Sequence, residues 1–233
     1  MVSSKRDVIL PHRHLPVDRR RAAWLAAVCW AGFGIIAYLV LHDLTGSFDR
    51  WGLLSYRTAD TLAFGGPERL FEAVRDVTAL GGIFLRNIFA SGAIATLLFL
   101  RLRREAAVYF LTVVSGWITS GVLKGIFGRD RPEIVPHLTS AGGGSFPSGH
   151  SFGAAVVYIG MALAFASLSG RQSVRLTIVA CAVIGSTMVA WSRVLLGVHY
   201  PSDVLAGWLA GTAWALTSAA LFQRPAETFA GQK

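Results

Sequence analysis

Six apolar runs, each about as long as a membrane-crossing helix, divide the chain. They cover approximately residues 22–41, 83–100, 106–127, 151–168, 174–191 and 202–222. An α-helix needs about 20 residues to cross roughly 30 Å of hydrocarbon. The pattern therefore predicts an all-α fold, a polytopic membrane bundle of six transmembrane helices that forms a single domain over residues 1–233.

The composition agrees with a lipid environment. Hydrophobic residues make up 53% of the chain and charged residues only 15%, a balance unusual for a water-soluble domain. The first run follows Arg19, Arg20 and Arg21, but its apolar part is longer than the 7–15 residues of a typical signal peptide. We interpret it as a retained anchor.

A shorter amphipathic helix is predicted between the first two runs. Gly66 and Pro67 precede Glu68, which is typical of a helix that begins with proline in its first turn, and the pair Gly81-Gly82 ends it. Two interpretations remain open for this helix. It lies at the membrane interface near the acyl region of a bound lipid, or it packs over the bundle with no role toward a ligand.

The placement of basic residues predicts the orientation. The formal net charge is +9, and basic residues gather in the tail 1–21 and in the connections after the second and fourth runs. Under the positive-inside rule these segments are cytoplasmic, with both termini inside. No basic domain with interleaved aromatic residues is present, so a nucleic-acid partner is not expected.

With this orientation, the connections after the third and fifth runs face outward, and they carry three polar clusters. The clusters are Lys124 with Arg131-Pro132, then Pro147-Ser148-Gly149-His150, then Ser192-Arg193 followed by His199 and Asp203. Cations, two histidines and a carboxylate on one membrane face indicate phosphate chemistry.

The second cluster is suited to an anion. Ser148 is a natural N-cap, Gly149 lets backbone N–H groups approach a ligand, and His150 stands in the first turn of the helix that follows. An ordinary capped helix could also begin with these residues. Similarly, Lys124 alone could be a lysine that snorkels from a helix end, and Arg131 a solvated loop charge.

The third cluster provides a nucleophile. Pro201 suits the first position of the last helix, which places Asp203 in its first turn and within reach of the His199 ring. A carboxylate bonded to one imidazole nitrogen leaves the other nitrogen unprotonated and nucleophilic. Arg193 adds a guanidinium fork for phosphate oxygens. Asp203 could instead be only a helix-start carboxylate.

Together, the three clusters resemble the three-part signature of the type 2 phosphatidic acid phosphatase and vanadium haloperoxidase superfamily, without a departure. The signature spans residues 124–203, and the six-run plan extends the resemblance over nearly the whole chain. The resemblance implies a catalytic core at about 83–222 and a short bacterial layout similar to the branch that acts on phosphatidylglycerol phosphate or undecaprenyl diphosphate.

The resemblance also implies a role for each residue. His199 attacks phosphorus and forms a phosphohistidine, Asp203 orients it, and His150 protonates the leaving oxygen and then activates water. The phosphoryl oxygens are held by Lys124, Arg131, Ser148, Gly149 and Arg193. No metal or other cofactor is expected, and a bell-shaped pH profile should report His150.

The expected partner is a membrane lipid phosphate in a bacterial plasma membrane, with the site facing the extracytoplasmic side. Three alternatives stay open: a lipid phosphotransferase, a haloperoxidase, and a lipid transporter whose intramembrane charges mark a path. The charges gather at one face, which disfavours transport, and Arg86 with Asn87 is expected to snorkel from its helix end.

Overall fold

The computed structural model describes residues 18–222, and these residues form helices joined by short connections. The basic tail predicted for residues 1–21 lies outside the described residues as far as residue 17. The helices are α1 (Arg19–Leu41), α2 (Gly46–Leu54), α3 (Glu68–Gly81), α4 (Ile83–Phe99), α5 (Arg103–Phe127), α6 (Gly149–Ala154), α7 (Gly160–Ala166), α8 (Gln172–Leu195) and α9 (Pro201–Phe222). A π-helical turn, Ala155–Ile159, joins α6 to α7, so that one continuous element runs from Gly149 to Ala166.

The all-α membrane bundle is confirmed, and its spans can be counted only in part. Within residues 18–222, five helices are long and apolar enough to cross a bilayer: α1, α5, the α6–α7 element, α8 and α9. The remaining predicted span is α4, which has 17 residues and passes the same test only together with α3, from which it is bent by 54°. The count is therefore five spans, or six if the angled pair α3–α4 crosses as one.

The amphipathic helix exists, but it begins one residue later than predicted. Pro67 is the N-cap of α3 and Glu68 its first helical residue. The helix packs on α8, and its Val74 lies in a small apolar cluster with Leu196 and Val198. The helix therefore packs over the bundle, and this packing does not by itself decide between the two interpretations.

Helix α2 was not predicted from the sequence. Its exposed side includes Phe48 and Trp51, while Leu53 is buried against Val194 and Val204. With nine residues, it is too short for its periodicity to stand out from the surrounding loop.

The centre of the bundle is α9, whose small residues allow close backbone contact with α6. A Cβ atom at Gly207 would lie 2.5 Å from the carbonyl oxygen of Ser148, and one at Gly211 would lie 2.3 Å from that of Phe152. Small residues at such crossings are typical of membrane helix pairs. The contact brings the first turn of α6 beside the first turn of α9, where the backbone N–H of Ser148 donates to the Asp203 carbonyl at 3.0 Å.

Candidate active site

The predicted site residues meet at one end of the bundle. Lys124 lies in the last turn of α5, Ser148 to His150 at the start of α6, Arg193 near the end of α8, and Asp203 in the first turn of α9. Arg131 lies in the connection from α5 to α6, and His199 in the connection from α8 to α9. Helix ends thus carry most of the site residues, and the α5–α6 and α8–α9 connections supply the other two.

His199 is at the centre and is only 2% exposed. Its Nδ1 lies 3.3 Å from Ser145 Oγ and 3.4 Å from Asp203 Oδ2, while its Nε2 lies 3.1 Å from Arg131 Nη1. Since a guanidinium only donates, Nε2 is the acceptor and the ring proton belongs on Nδ1, facing the carboxylate. The free lone pair of His199 therefore belongs to Nε2.

The protonation of His199 follows from its surroundings. Burial lowers the pKa of His199 to about 4; the hydrogen bond and charge of Asp203 act in the opposite direction, and the charges of Arg131 and Lys124 lower the pKa further. At neutral pH the ring is therefore uncharged, which is the form a nucleophile needs.

Asp203 is fully buried and is fixed by three donors besides the imidazole. Its Oδ2 accepts from the Ser145 hydroxyl and, at 2.9 Å, from the backbone N–H of Tyr200. Its Oδ1 accepts from Arg129 Nη1 at 2.7 Å. These hydrogen bonds hold the carboxylate in one orientation, with Oδ2 facing His199.

Arg131 is held by backbone carbonyls on both sides of the site. Its Nε donates to Gly143 at 3.0 Å, its Nη2 to Gly142 at 2.8 Å and its Nη1 to Val198 at 2.7 Å. The same Nη1 reaches the imidazole of His199. The guanidinium is thereby oriented toward the unprotonated nitrogen of His199.

Lys124 points into the same loop. Its Nζ donates to the carbonyl oxygen of Gly144 at 2.6 Å, and a Cβ atom at Gly149 would lie 3.3 Å from its Cε. The ammonium group is therefore directed to the first turn of α6 and not outward to solvent, in contrast to the snorkelling alternative. The glycine tract 142–144 provides the carbonyls that orient both Lys124 and Arg131.

The start of α6 differs in one respect from the expected cap. Ser148 occupies the N-cap position, but its hydroxyl makes no capping hydrogen bond and instead accepts from Ser151 Oγ at 2.9 Å. His150 lies beside Gly81, where a Cβ atom would come within 3.2 Å of its Cδ2. Helix α3 therefore contacts the site as well as packing over the bundle.

Arg193 is almost fully buried, at 4% exposure. Its Nη1 donates to Thr78 Oγ1 at 2.9 Å, and its Nε has no partner among residues 18–222. Thr78 is thus a second contact from α3 to the site, one that the sequence did not indicate.

The expectation for Arg86 was wrong. The side chain does not snorkel: it is 8% exposed and makes long contacts of 3.5 Å to the carbonyls of Gly81 and Gly149. It fits because Gly153 has no side chain, since a Cβ there would lie 1.8 Å from Arg86 Nη1. Arg86 instead joins α4 to the first turn of α6, behind His150.

Three further residues lie around Asp203: sequence reasoning did not point to Ser145 or Asp49, and it assigned no role to Arg129. Ser145 ends the glycine tract and Arg129 lies inside the interval from Lys124 to Arg131, so position alone could have marked both. Asp49, on α2, is distant in sequence from every cluster, and no sequence signal pointed to it. Among residues 18–222, no group of three or more His, Cys, Asp or Glu side chains is arranged to hold a metal ion.

Comparison with known proteins supports a single family. Residues 105–226 match the PAP2 superfamily. A lipid A 1-phosphatase of Rhizobium johnstonii is 33% identical over 127 residues, which are 51% of this chain and 48% of that protein. Phosphatidylglycerophosphatase B of Bacillus subtilis is 33% identical over 145 residues, 61% of this chain and 70% of that protein.

A solved structure has the same fold. The crystal structure of a transmembrane PAP2-type phosphatidylglycerolphosphate phosphatase from Bacillus subtilis superimposes with a TM-score of 0.73 and 25% identity, over 84% of this chain and 94% of that one. The fold thus defines a multi-pass membrane protein. The chain belongs to the PAP2 superfamily. It spans about half the length of the lipid A 1-phosphatases that it matches.

Proposed function

We propose that this protein is an integral-membrane lipid phosphatase that hydrolyses phosphomonoester or diphosphate headgroups through a phosphohistidine on His199, without a metal. One observation carries the proposal. The Nδ1 side of His199 faces a fixed carboxylate, while the Nε2 side faces the Arg131 guanidinium at 3.1 Å. This arrangement supports a neutral, oriented nucleophile directed at an anion.

The first step forms a P–N bond. His199 Nε2 attacks phosphorus, the P–O bond to the lipid alkoxide or phosphate breaks, and His150 gives that leaving oxygen a proton. Positive charge develops on the His199 ring, and the buried Asp203 carboxylate stabilises it. Phosphoryl transfer depends mainly on positioning and on charge stabilisation.

The second step regenerates the enzyme. His150 takes a proton from water, the resulting hydroxide attacks phosphorus, the P–N bond breaks and inorganic phosphate leaves. In both steps the phosphoryl oxygens are held by the cations and by the first turn of α6, that is, by Lys124, Arg131, Ser148, Gly149 and Arg193. Backbone N–H groups at a helix start add to this stabilisation.

The substrate class follows from the position of the site. Its residues lie at one end of a bundle of apolar helices, which suits a phosphate at headgroup level whose tail stays in the bilayer. We place this end on the extracytoplasmic side of a bacterial plasma membrane, with both termini cytoplasmic. The charge distribution along the chain supports this orientation.

Phosphate release from purified protein in detergent micelles tests the proposal. The panel contains phosphatidic acid, phosphatidylglycerol phosphate, undecaprenyl diphosphate and a lipid A 1-phosphate. Wild type should release phosphate from at least one lipid, and His199→Ala should lose the activity. His137→Gln is the matched control, because His137 bonds only the Pro132 carbonyl among the described residues and its loss should leave turnover near wild type. Equal turnover by His199→Ala contradicts the mechanism.

Three further measurements separate the proposed chemistry from its alternatives. Activity should persist in excess chelator; loss that added metal restores would reject the metal-free route. The rate should also fall at both ends of the pH range, because His150 must be protonated in the first step and neutral in the second. Transfer of the phosphoryl group to a lipid or alcohol acceptor, instead of phosphate release, would identify a phosphotransferase.

A further inference from the structure

Asp203 belongs to a buried network that extends away from His199 to helix α2. Asp49, on α2, is 1% exposed. Its Oδ2 accepts from Arg129 Nη2 at 2.8 Å, and Arg129 Nη1 in turn donates to Asp203 Oδ1 at 2.7 Å. One guanidinium is therefore shared by two buried carboxylates.

Ser202 closes this network. Its hydroxyl donates to Asp49 Oδ2 at 2.7 Å and accepts from Arg129 Nη1 at 2.8 Å. Its backbone N–H donates to Asp49 Oδ1 at 2.9 Å. Asp49 thus satisfies an N–H group in the first turn of α9, a role that a helix usually gives to its own N-cap residue.

Besides its contacts with Asp49 and Asp203, Arg129 also packs on the ring of Tyr200. Its Cζ lies 4.1 Å from the centroid of the Tyr200 ring, a distance that allows a cation–π contact. Burial alone would lower the pKa of Arg129, but the charge of Asp203 and the hydrogen bond and charge of Asp49 raise it above its ordinary value. Arg129 therefore stays charged in the network.

The charges in this network have a consequence for His199. If Arg129 were paired with Asp203 alone, the two charges would cancel beside the imidazole. With Asp49 also present, the three groups carry one net negative charge while His199 is neutral. That negative charge is available when the ring becomes positive on phosphorylation, and a buried site magnifies such a contribution.

We infer that Asp49 and Arg129 are positioning residues of the phosphatase site: together they orient Asp203 and keep the charge behind His199 negative. This inference rests on the proposed function. Asp49 lies outside the three clusters, and Arg129 lies within the first cluster without being one of the residues that carry the family resemblance. Neither touches the nucleophilic nitrogen, so their effect reaches the reaction through Asp203.

The pH profile distinguishes this role from a merely structural one. Removal of the Asp49 charge makes the surroundings of His199 more positive, so its pKa falls and the acid limb of kcat/KM moves to lower pH. Removal of the Arg129 charge should raise the pKa of His199 and move the acid limb of kcat/KM to higher pH. The other charged groups around His199 and His150 are unchanged in both variants: Lys124 on α5, Arg131 in the connection, Arg86 on α4, Arg193 on α8 and Asp203 on α9.

The experiment compares Asp49→Asn, Arg129→Gln and wild type by phosphate release in micelles, with one lipid substrate over the acid range. Substrate ionisation is common to all samples, so differences between them report on the protein. Both variants should lose kcat by roughly 10- to 100-fold, by analogy with the loss of residues that orient metal ligands. KM should stay near wild type, and the two acid limbs should move in opposite directions. Ser202→Ala is the matched control, because it removes hydrogen bonds from the same network without changing a charge, and its limb should not move.

Three results overturn the inference: unchanged kcat in Asp49→Asn, limbs that move in the same direction, or a limb that moves equally in Ser202→Ala. If Asp49→Asn does not elute as folded protein, Arg129→Gln decides, and an unmoved limb in that variant rejects the inference. Failure of the proposed function gives a different result. In that case wild type releases no phosphate, or His199→Ala equals wild type.

Discussion

Arg131 Nη1 lies 3.1 Å from His199 Nε2, so a cation covers the nitrogen that attacks phosphorus in the proposed mechanism. The contact stabilises the neutral imidazole, because a positive charge beside the ring disfavours its protonation. It also directs a guanidinium to the place where the phosphoryl group must bind. Arg131 therefore affects both the protonation of His199 and the binding of the phosphoryl group. Substitutions that keep or remove its charge can measure these two effects separately.

Arg131→Gln should lower kcat/KM on the order of 10²–10³, by analogy with the loss of one donor from an oxyanion hole. The neutral ring is the reactive form, so activity persists above the pKa of His199, which is about 4, and is lost as the pH falls through it. Without the Arg131 charge that pKa rises, and the acid limb of kcat/KM moves to higher pH. Arg131→Lys keeps the charge and should leave the limb near wild type. An unmoved limb in Arg131→Gln would contradict the electrostatic effect.

Ser145→Ala should lower kcat without a large change in KM. The hydroxyl donates to Asp203 Oδ2 and lies 3.3 Å from His199 Nδ1, and a hydrogen bond to a charged group contributes about 1.5–3 kcal/mol. If that contribution acts in the transition state, kcat falls by roughly 10- to 150-fold. Ser151→Ala is the control, since its hydroxyl bonds Ser148 Oγ and not the carboxylate. Equal kcat values for the two variants would remove Ser145 from the mechanism.

Gly143→Ala should distort the glycine tract 142–144, whose carbonyls orient Lys124 and Arg131. Gly142→Ala should have little effect. The backbone of Gly143 has a φ of +70°, and a Cβ at Gly142 would meet nothing within 4 Å. The left-handed conformation costs an L-residue about 1–2 kcal/mol. Because the Gly143 carbonyl accepts from Arg131, the strain should raise KM and lower the melting temperature. Michaelis parameters and thermal unfolding of both variants test this, and indistinguishable variants would exclude a role for the backbone conformation.

Gly153→Ala should destabilise the protein by about 1–3 kcal/mol, the usual range for overpacking. Its Cβ would lie 1.8 Å from Arg86 Nη1 and 2.6 Å from Cζ, so the buried arginine must move. Gly185→Ala in α8 is the control, because a Cβ there meets nothing within 4 Å, and it should leave stability unchanged or slightly higher. The melting temperature in detergent reports both. A normal melting temperature in Gly153→Ala would show that Arg86 relocates at no cost.

Local spacing explains what the sequence predicted well. Helix lengths followed from apolar runs, and the approach of Asp203 to His199 followed from a four-residue separation with Pro201 at the helix start. These relationships involve neighbours in the chain, so their geometry is nearly fixed by backbone rules. The clusters 124–131, 147–150 and 192–203 were expected on one face because spans alternate in direction.

Long-range pairing explains what the sequence could not predict. Asp49 meets Ser202 across 153 positions, and no periodicity links two such residues. The burial of Arg86 depends on the missing side chain of Gly153 in another helix, so a charge near a helix end was assigned to snorkelling.

His199 sits in a largely buried connection of five residues, numbers 196–200, between α8 and α9. So short a connection ties the position of the imidazole to these two helices. Under the proposed function, a bulkier or thinner lipid is therefore not accommodated by shifting this histidine. Differences in lipid preference should therefore concentrate at the bend between α3 and α4. The residues at this bend adjoin His150 and Arg193 but belong to neither α8 nor α9.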